Sequence, residues 1–183
     1  MSESSPVKDA LYAEIDRISQ DKINELLLKK EFSAIFENVF DKAINKINED
    51  IDEDEKFGTL AESITHYLFT EMLIPSQRKI SYENVELDLV IPSTLELKKN
   101  PQNVIILLFM KTSDMIEIQN KISQIKTIQE KDDNIWVISK RLLEIPQKSY
   151  ATDKISFGNF LRDTQNFIQT KNMNKLNIFK TQM

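Results

Sequence analysis

Residues 104–110 form an uninterrupted apolar run, Val-Ile-Ile-Leu-Leu-Phe-Met, in a chain that contains only 2 Gly and 5 Pro. A run this short cannot span a bilayer, which needs about 20 apolar residues. It is typical of a central strand that is buried on both faces of a sheet. Because Gly and Pro are scarce, tight hairpins are few, and an all-β sandwich or barrel is disfavoured. The run therefore predicts a sheet with helices packed on both faces.

The segments around this run have the patterns of the other elements of such a sheet. Apolar residues recur at helical spacing in some segments and alternate with polar residues in others. The patterns predict, in chain order, a helix over residues 59–73, a hairpin of strands 78–83 and 85–91, a loop over 94–102, the central strand, a helix over 114–130 and a strand over 134–139. The predicted order is therefore helix, three strands, helix, strand.

The two ends of the chain are predicted to be helical. Residues 6–48 read as a helical hairpin or one long bent helix, whose apolar face must pack against the core or across a dimer interface. Six of the seven residues 49–55 are acidic, which is typical of a domain boundary. We therefore expect an N-terminal helical region (1–50), an α/β core (51–139) and a C-terminal helical extension (140–183). The face expected to be buried carries Phe32, Phe36, Val39 and Phe40.

Composition excludes several classes of function. The chain has no Cys and 1 His, so thiolate and multi-histidine metal sites are excluded. Only a hard cation such as Mg²⁺ or Mn²⁺ on carboxylates remains. We find no targeting or membrane-spanning segment, and a cytoplasmic location is expected. The net charge of -5 disfavours nucleic-acid binding by the whole surface, although residues 140–183 carry eight Lys or Arg against three Asp or Glu.

Three charged residues lie in or next to the predicted strands and the first core helix. Asp88 lies within an apolar strand, Lys111 follows the central strand, and Gly58 precedes Glu62 by four residues at the head of the first core helix. Over residues 57–139 this order and these residues resemble the restriction-endonuclease-like, or PD-(D/E)xK, nuclease superfamily. The resemblance implies an α+β (α/β) fold with an αβββαβ core. It also implies that Asp88 binds metal and that Lys111 positions or activates the attacking water.

One position departs from the family pattern. Side chains alternate along a strand, so the second metal-binding acid should stand two residues before the lysine, where this chain has Phe109. Glu86, two residues from Asp88, and Glu62 on the helix are candidates for a migrated carboxylate. The expected metal set is Asp88 with Glu86, and Mg²⁺ or Mn²⁺ would bind weakly there.

The resemblance leads to a nucleic-acid-associated protein with a catalytically degenerate nuclease-like core. Two alternatives remain: a protein-interaction module that pairs with itself or a partner through its N-terminal helices, and an active metal-dependent phosphodiesterase with a migrated carboxylate. Lys and Arg around Asp88 and Lys111 would favour nucleic acid, whereas an acidic face would favour the interaction module. A nucleic-acid patch is predicted in the C-terminal extension at Lys140, Arg141, Lys148, Lys154 and Arg162.

Overall fold

A five-stranded sheet lies at the centre of the chain, in a computed structural model that describes residues 5–48 and 50–171. Helices cover both of its faces. This confirms the predicted mixed α and β class. Glu49 of the acidic segment lies outside the described residues, as does the end of the chain with Leu176, Ile178 and Phe179.

The sheet has its strands in sequence order and mixed direction. The strands are β1 (Gln77–Tyr82), β2 (Val85–Ile91), β3 (Ile105–Phe109), β4 (Ile135–Ser139) and β5 (Lys148–Ala151). β1, β2 and β3 pair antiparallel, whereas β3, β4 and β5 pair parallel. Every residue of β3 is buried, so the prediction of a central strand is confirmed. The sequence does not predict β5, because its four residues are too few to show alternation.

Helices form much of the remaining described chain. They are α1 (Pro6–Ile18), α2 (Gln20–Leu28), α3 (Phe32–Ile35), a π-helical turn (Phe36–Phe40), α4 (Asp41–Ile44), α5 (Glu53–Glu71), α6 (Thr94–Lys99), α7 (Met115–Lys126) and α8 (Lys154–Thr170). None of them is long and apolar enough to cross a membrane. The N-terminal region is neither a simple hairpin nor one bent helix. It breaks at Ser19 and Lys30, where φ is 75° and 58°.

The predicted loop over residues 94–102 is wrong. This segment forms α6 and a short 3₁₀ turn, Pro101–Asn103. The Ser93 hydroxyl accepts a hydrogen bond from the Glu96 N–H and so caps the helix. A helix of six residues is too short for its apolar spacing to stand out in the sequence.

The N-terminal helices, α5 and α8 form one hydrophobic cluster on one face of the sheet, and α6 and α7 cover the other face. The four apolar residues of the predicted N-terminal face, Phe32, Phe36, Val39 and Phe40, are all at most 2% exposed. They are buried against the core, which is one of the two predicted outcomes. Phe36 also contacts Phe157 of α8, with ring centroids 5.4 Å apart.

The acidic segment contributes to the start of α5. The Asp52 carboxylate accepts hydrogen bonds from the N–H groups of Asp54 and Glu55 and caps the helix. Acids in a first turn also interact favourably with the helix dipole. The acids at the start of α5 line a groove together with residues that follow β3 and β4. The first turn of α5 thus lies beside the carboxyl ends of these two parallel strands.

Candidate functional site

The candidate site lies where β2 and β3 separate. Their register runs from Ile91 opposite Ile105 to Leu89 opposite Leu107 and stops there, whereas β3 stays paired with β4 through Phe109. The Asp88 carboxylate takes the place of the missing ladder bond. Its Oδ2 accepts a hydrogen bond of 2.8 Å from the Phe109 N–H. Asp88 therefore satisfies a backbone donor that the sheet leaves open.

The same carboxylate also forms an ion pair with the helix on that face. Lys121 of α7 places its Nζ 2.9 Å from Asp88 Oδ2. The side chains of Asp88 and Lys121 are 20% and 32% exposed, so the pair is partly screened by solvent. A charged side chain within an apolar strand is costly unless it is paired, and Asp88 has two such partners.

A second carboxylate, Glu62 of α5, is 1% exposed and is surrounded by cations. Its Oε1 accepts from Arg78 Nε at 2.8 Å, and its Oε2 accepts from Lys111 Nζ at 3.1 Å. The Lys79 Nζ lies 3.7 Å from Oε1. Burial would raise the pKa of the Glu62 carboxyl, but the positive charges of Lys111, Arg78 and Lys79 outweigh it and hold the pKa below its ordinary value.

Gly58 explains how α5 comes so close to the end of β3. A Cβ at this position would lie 2.3 Å from the Met110 carbonyl oxygen and 2.9 Å from Lys111 Cγ. Residues four apart lie on the same face of a helix, so Glu62 faces the same side one turn later. Contact with Lys111 follows from this packing.

The alternation that would place Glu86 beside Asp88 is interrupted. Leu87 and Leu89 belong to clusters on opposite faces of the sheet, although strict alternation would put them on one face. Lys79, between the β1 residues that pair with Leu87 and Leu89, has φ of 49°. Glu86 itself is exposed. The structure brings Glu62 to Lys111, but it does not gather the three candidate carboxylates Glu62, Glu86 and Asp88.

The arrangement does not fit the expected Mg²⁺ or Mn²⁺ site. Both oxygens of Glu62 and Oδ2 of Asp88 already contact positive side chains or an N–H group. Over residues 5–48 and 50–171, no three His, Cys, Asp or Glu side chains converge as metal ligands. Ammonium and guanidinium groups balance the charge that a metal would otherwise balance.

Lys111 also lines an open groove of about 560 Å³ that is strongly acidic. Its five carboxylates come from the start of α5 and the start of α7: Asp52, Asp54, Glu55, Asp114 and Glu117. The surface around Lys111 therefore carries both signs of charge, with cations around Glu62 and acids along the groove. A uniformly basic surface would have favoured nucleic-acid binding, and a uniformly acidic one would have favoured the interaction module. The described surface around Lys111 is neither.

The predicted basic patch of the C-terminal extension is partly neutralised. Lys140 pairs with Glu53, Lys148 with Asp163 and Lys154 with Glu37. Arg162 donates to the Asn159 side chain, and Arg141 is exposed. These residues are distributed over the end of β4, β5 and α8 rather than along one stripe.

Sequence reasoning missed Arg78, Lys79 and Lys121 as parts of the site. Arg78 and Lys79 are adjacent on β1, and both approach Glu62 where the backbone of Lys79 is distorted, with φ of 49°. Lys121 is one of several polar residues on α7. No signal in the sequence sets any of the three apart.

No family model, curated protein or solved structure matches this chain. The geometry of the site therefore carries the functional argument.

Proposed function

We propose that this chain is a nucleic-acid-associated protein. Its nuclease-like core binds the phosphate groups of the nucleic-acid backbone but does not cleave that backbone. The observation that carries the proposal is the group of Arg78, Lys79 and Lys111 around the buried Glu62. Three positive charges against one negative charge leave an excess of two at this point. The succession α5, β1, β2, β3, α7, β4, with α6 inserted before β3, supports a restriction-endonuclease-like origin.

Phosphate could reach two of these cations from solvent. The side chains of Lys79 and Lys111 are 62% and 39% exposed, whereas that of Arg78 is 18% exposed. A lysine ammonium carries three donors, so one bond to Glu62 leaves two for a phosphate oxygen. Glu62 holds the two ammonium groups near one another. When they neutralise phosphates of a nucleic acid, the counterions condensed on that nucleic acid are released, which favours binding.

The absence of catalysis follows from Phe109 and from the contacts of Asp88. Phe109 is 1% exposed and belongs to the hydrophobic cluster beneath α5. A carboxylate at that position would be buried among apolar side chains. Asp88 is held by a backbone N–H and Lys121, and Lys111 by Glu62. Among the described residues, no other carboxylate stands beside Asp88 to share a metal ion with it.

Binding is tested by replacing Lys79 and Lys111 together with alanine. We expect affinity for fluorescently labelled DNA or RNA to fall about tenfold at low salt, and the slope of log affinity against log salt to fall by about 2. The measurement is fluorescence anisotropy across a salt series. The matched control is Lys98→Ala with Lys99→Ala on α6, which removes the same charge elsewhere. Equal effects of the two double variants would contradict the proposed site.

Cleavage is tested with Mg²⁺ or Mn²⁺ on labelled DNA and RNA. We expect a rate near background, since losing one of several catalytic groups that act together removes most of the rate. Asp88→Ala should then leave the rate unchanged, with its fold checked by urea denaturation. Robust cleavage that Asp88→Ala abolishes would instead establish the active phosphodiesterase, with Glu62 or Glu86 as the migrated ligand.

A protein-interaction module is the second candidate, and the acidic groove beside Lys111 favours it. Five carboxylates would repel a nucleic acid and attract a basic partner. The aromatic N-terminal face that suggested a dimer is already covered within the chain. Pairing through the N-terminal helices would need other surfaces and stays a prediction, as does the cytoplasmic location.

A further inference from the structure

A small cavity of about 180 Å³ opens beside Lys111, near the point where β2 and β3 separate. It is lined by two lysines and one hydroxyl side chain, with two apolar residues and one acid: Lys111, Lys121, Thr112, Phe109, Met110 and Glu117. Pockets that take drug-sized ligands measure about 300–1,000 Å³. The cavity therefore fits a compact group such as a phosphate rather than a nucleobase with its sugar.

The polar side chains of this cavity keep donors for an anion. Lys121 Nζ donates to Asp88 and Lys111 Nζ donates to Glu62. An ammonium group has three donors, so each lysine has two more to offer. The Thr112 hydroxyl accepts a hydrogen bond of 3.1 Å from a backbone N–H and keeps its own O–H to donate. Two lysines and a hydroxyl can therefore bind the oxygens of one phosphate together.

The surroundings of the cavity favour the end of a strand over its middle. Lys111 also lines the acidic groove, so the cavity and the groove adjoin at this residue. A continuous strand brings a phosphate about every 3.4 Å along its axis and extends to both sides of any phosphate that it places in the cavity. On one side those phosphates would meet the carboxylates of the groove. A strand that ends in the cavity extends to the other side alone.

We propose that this cavity binds the terminal phosphate of a nucleic-acid strand, with Lys111, Lys121 and Thr112 as the donors. This inference rests on the nucleic-acid binding proposed above and names the part of the nucleic acid that is recognised. The cations around Glu62, which include Lys111, have an excess of two positive charges. That excess matches the charge of about -1.5 to -2 on a phosphate monoester at pH 7. The strand leaves past Lys79, which contacts the same carboxylate as Lys111.

Competition binding on the full chain tests the preference for an end. Four unlabelled forms of one single-stranded DNA compete with a labelled strand: 5′-phosphorylated, 3′-phosphorylated, hydroxyl at both ends, and circular. We expect a phosphorylated form to compete about tenfold better than the hydroxyl and circular forms, because charge-assisted hydrogen bonds to a terminal phosphate are strong. The phosphorylated form that competes better identifies which end of the strand is bound.

A variant of Lys121 places the preference in the cavity. Lys121→Gln should reduce the preference to less than about twofold, because one of the two ammonium groups is lost. Affinity for the hydroxyl form should change little. The matched control is Lys126→Gln on the same helix, since Lys126 pairs with Asp132 as Lys121 pairs with Asp88. Circular dichroism and urea denaturation check that both variants fold.

Two sets of results separate this inference from the proposed function. Equal competition by all four forms, with binding weakened by Lys79→Ala and Lys111→Ala together, would overturn the inference alone. A preference that persists in Lys121→Gln, or that is lost equally in Lys126→Gln, would also overturn it. Absence of binding, or binding that the Lys79 and Lys111 double variant does not change, would overturn the proposed function as well.

Discussion

Replacing Phe40 with alanine is expected to lower the free energy of unfolding by about 3–5 kcal/mol. Phe40 is 0% exposed and stacks on Phe36 with ring centroids 4.5 Å apart. Its ring also lies 5.9 Å from that of Phe57 and 6.2 Å from that of Phe157. The substitution leaves a cavity among helices from three parts of the chain, which cannot easily collapse around it. Urea denaturation followed by circular dichroism measures the loss.

Leu95→Ala is the control for this prediction. Leu95 lies on α6 and is 61% exposed, so its removal should change stability by no more than about 0.5 kcal/mol. A loss below about 1 kcal/mol for Phe40→Ala would show that the N-terminal helices can detach from the rest of the core.

Glu62→Gln is expected to produce the second large effect, a loss of about 2–4 kcal/mol at neutral pH. Breaking a buried ion pair by removing one partner costs about 3–5 kcal/mol, because the other charge is left uncompensated. The expected loss is somewhat smaller here, since Lys79 and Lys111 can turn toward solvent while Arg78 stays mostly buried. Glutamine keeps the shape of the side chain, so the result reports the charge rather than a cavity.

The pH dependence of stability gives an independent check on Glu62. Its pKa in the folded protein lies below the ordinary value for a glutamate carboxyl. The contribution of Glu62 is therefore fully present above this ordinary value and is lost as the pH falls through the lowered folded-state pKa. The stability difference between wild type and Glu62→Gln should shrink as the pH falls from 5 toward 3, in urea titrations at each pH. A difference that does not change with pH would assign the effect to packing.

The elements with a strong pattern could be predicted from the sequence. The apolar run of β3 has no favourable place except between two covering layers, and the structure places it there. α6 and β5 could not be predicted, because a helix of six residues and a strand of four are too short for their periodicity to emerge. The longer elements could be predicted because the spacing of their apolar residues shows which side chains are buried.

The site was less accessible to sequence reasoning. Asp88 and Lys111 stand out because Asp88 is a charge within an apolar strand and Lys111 is a charge just after one. Their partners depend on features of the assembled sheet: the β2–β3 ladder ends before Phe109, and Gly58 lets α5 approach the end of β3. A sequence pattern does not show where a ladder ends, so it could not show that Asp88 bonds to a backbone N–H.

The packing of α3 against α8 has a consequence during synthesis. The Ser33 hydroxyl donates to the Lys154 carbonyl oxygen across 121 positions in sequence. At about 5–20 residues per second, a ribosome needs roughly 6–24 s to make the intervening chain. During this interval the phenylalanines of the N-terminal helices have emerged without α8 to cover them. The N-terminal helices can therefore complete their packing only after nearly the whole described chain has been made.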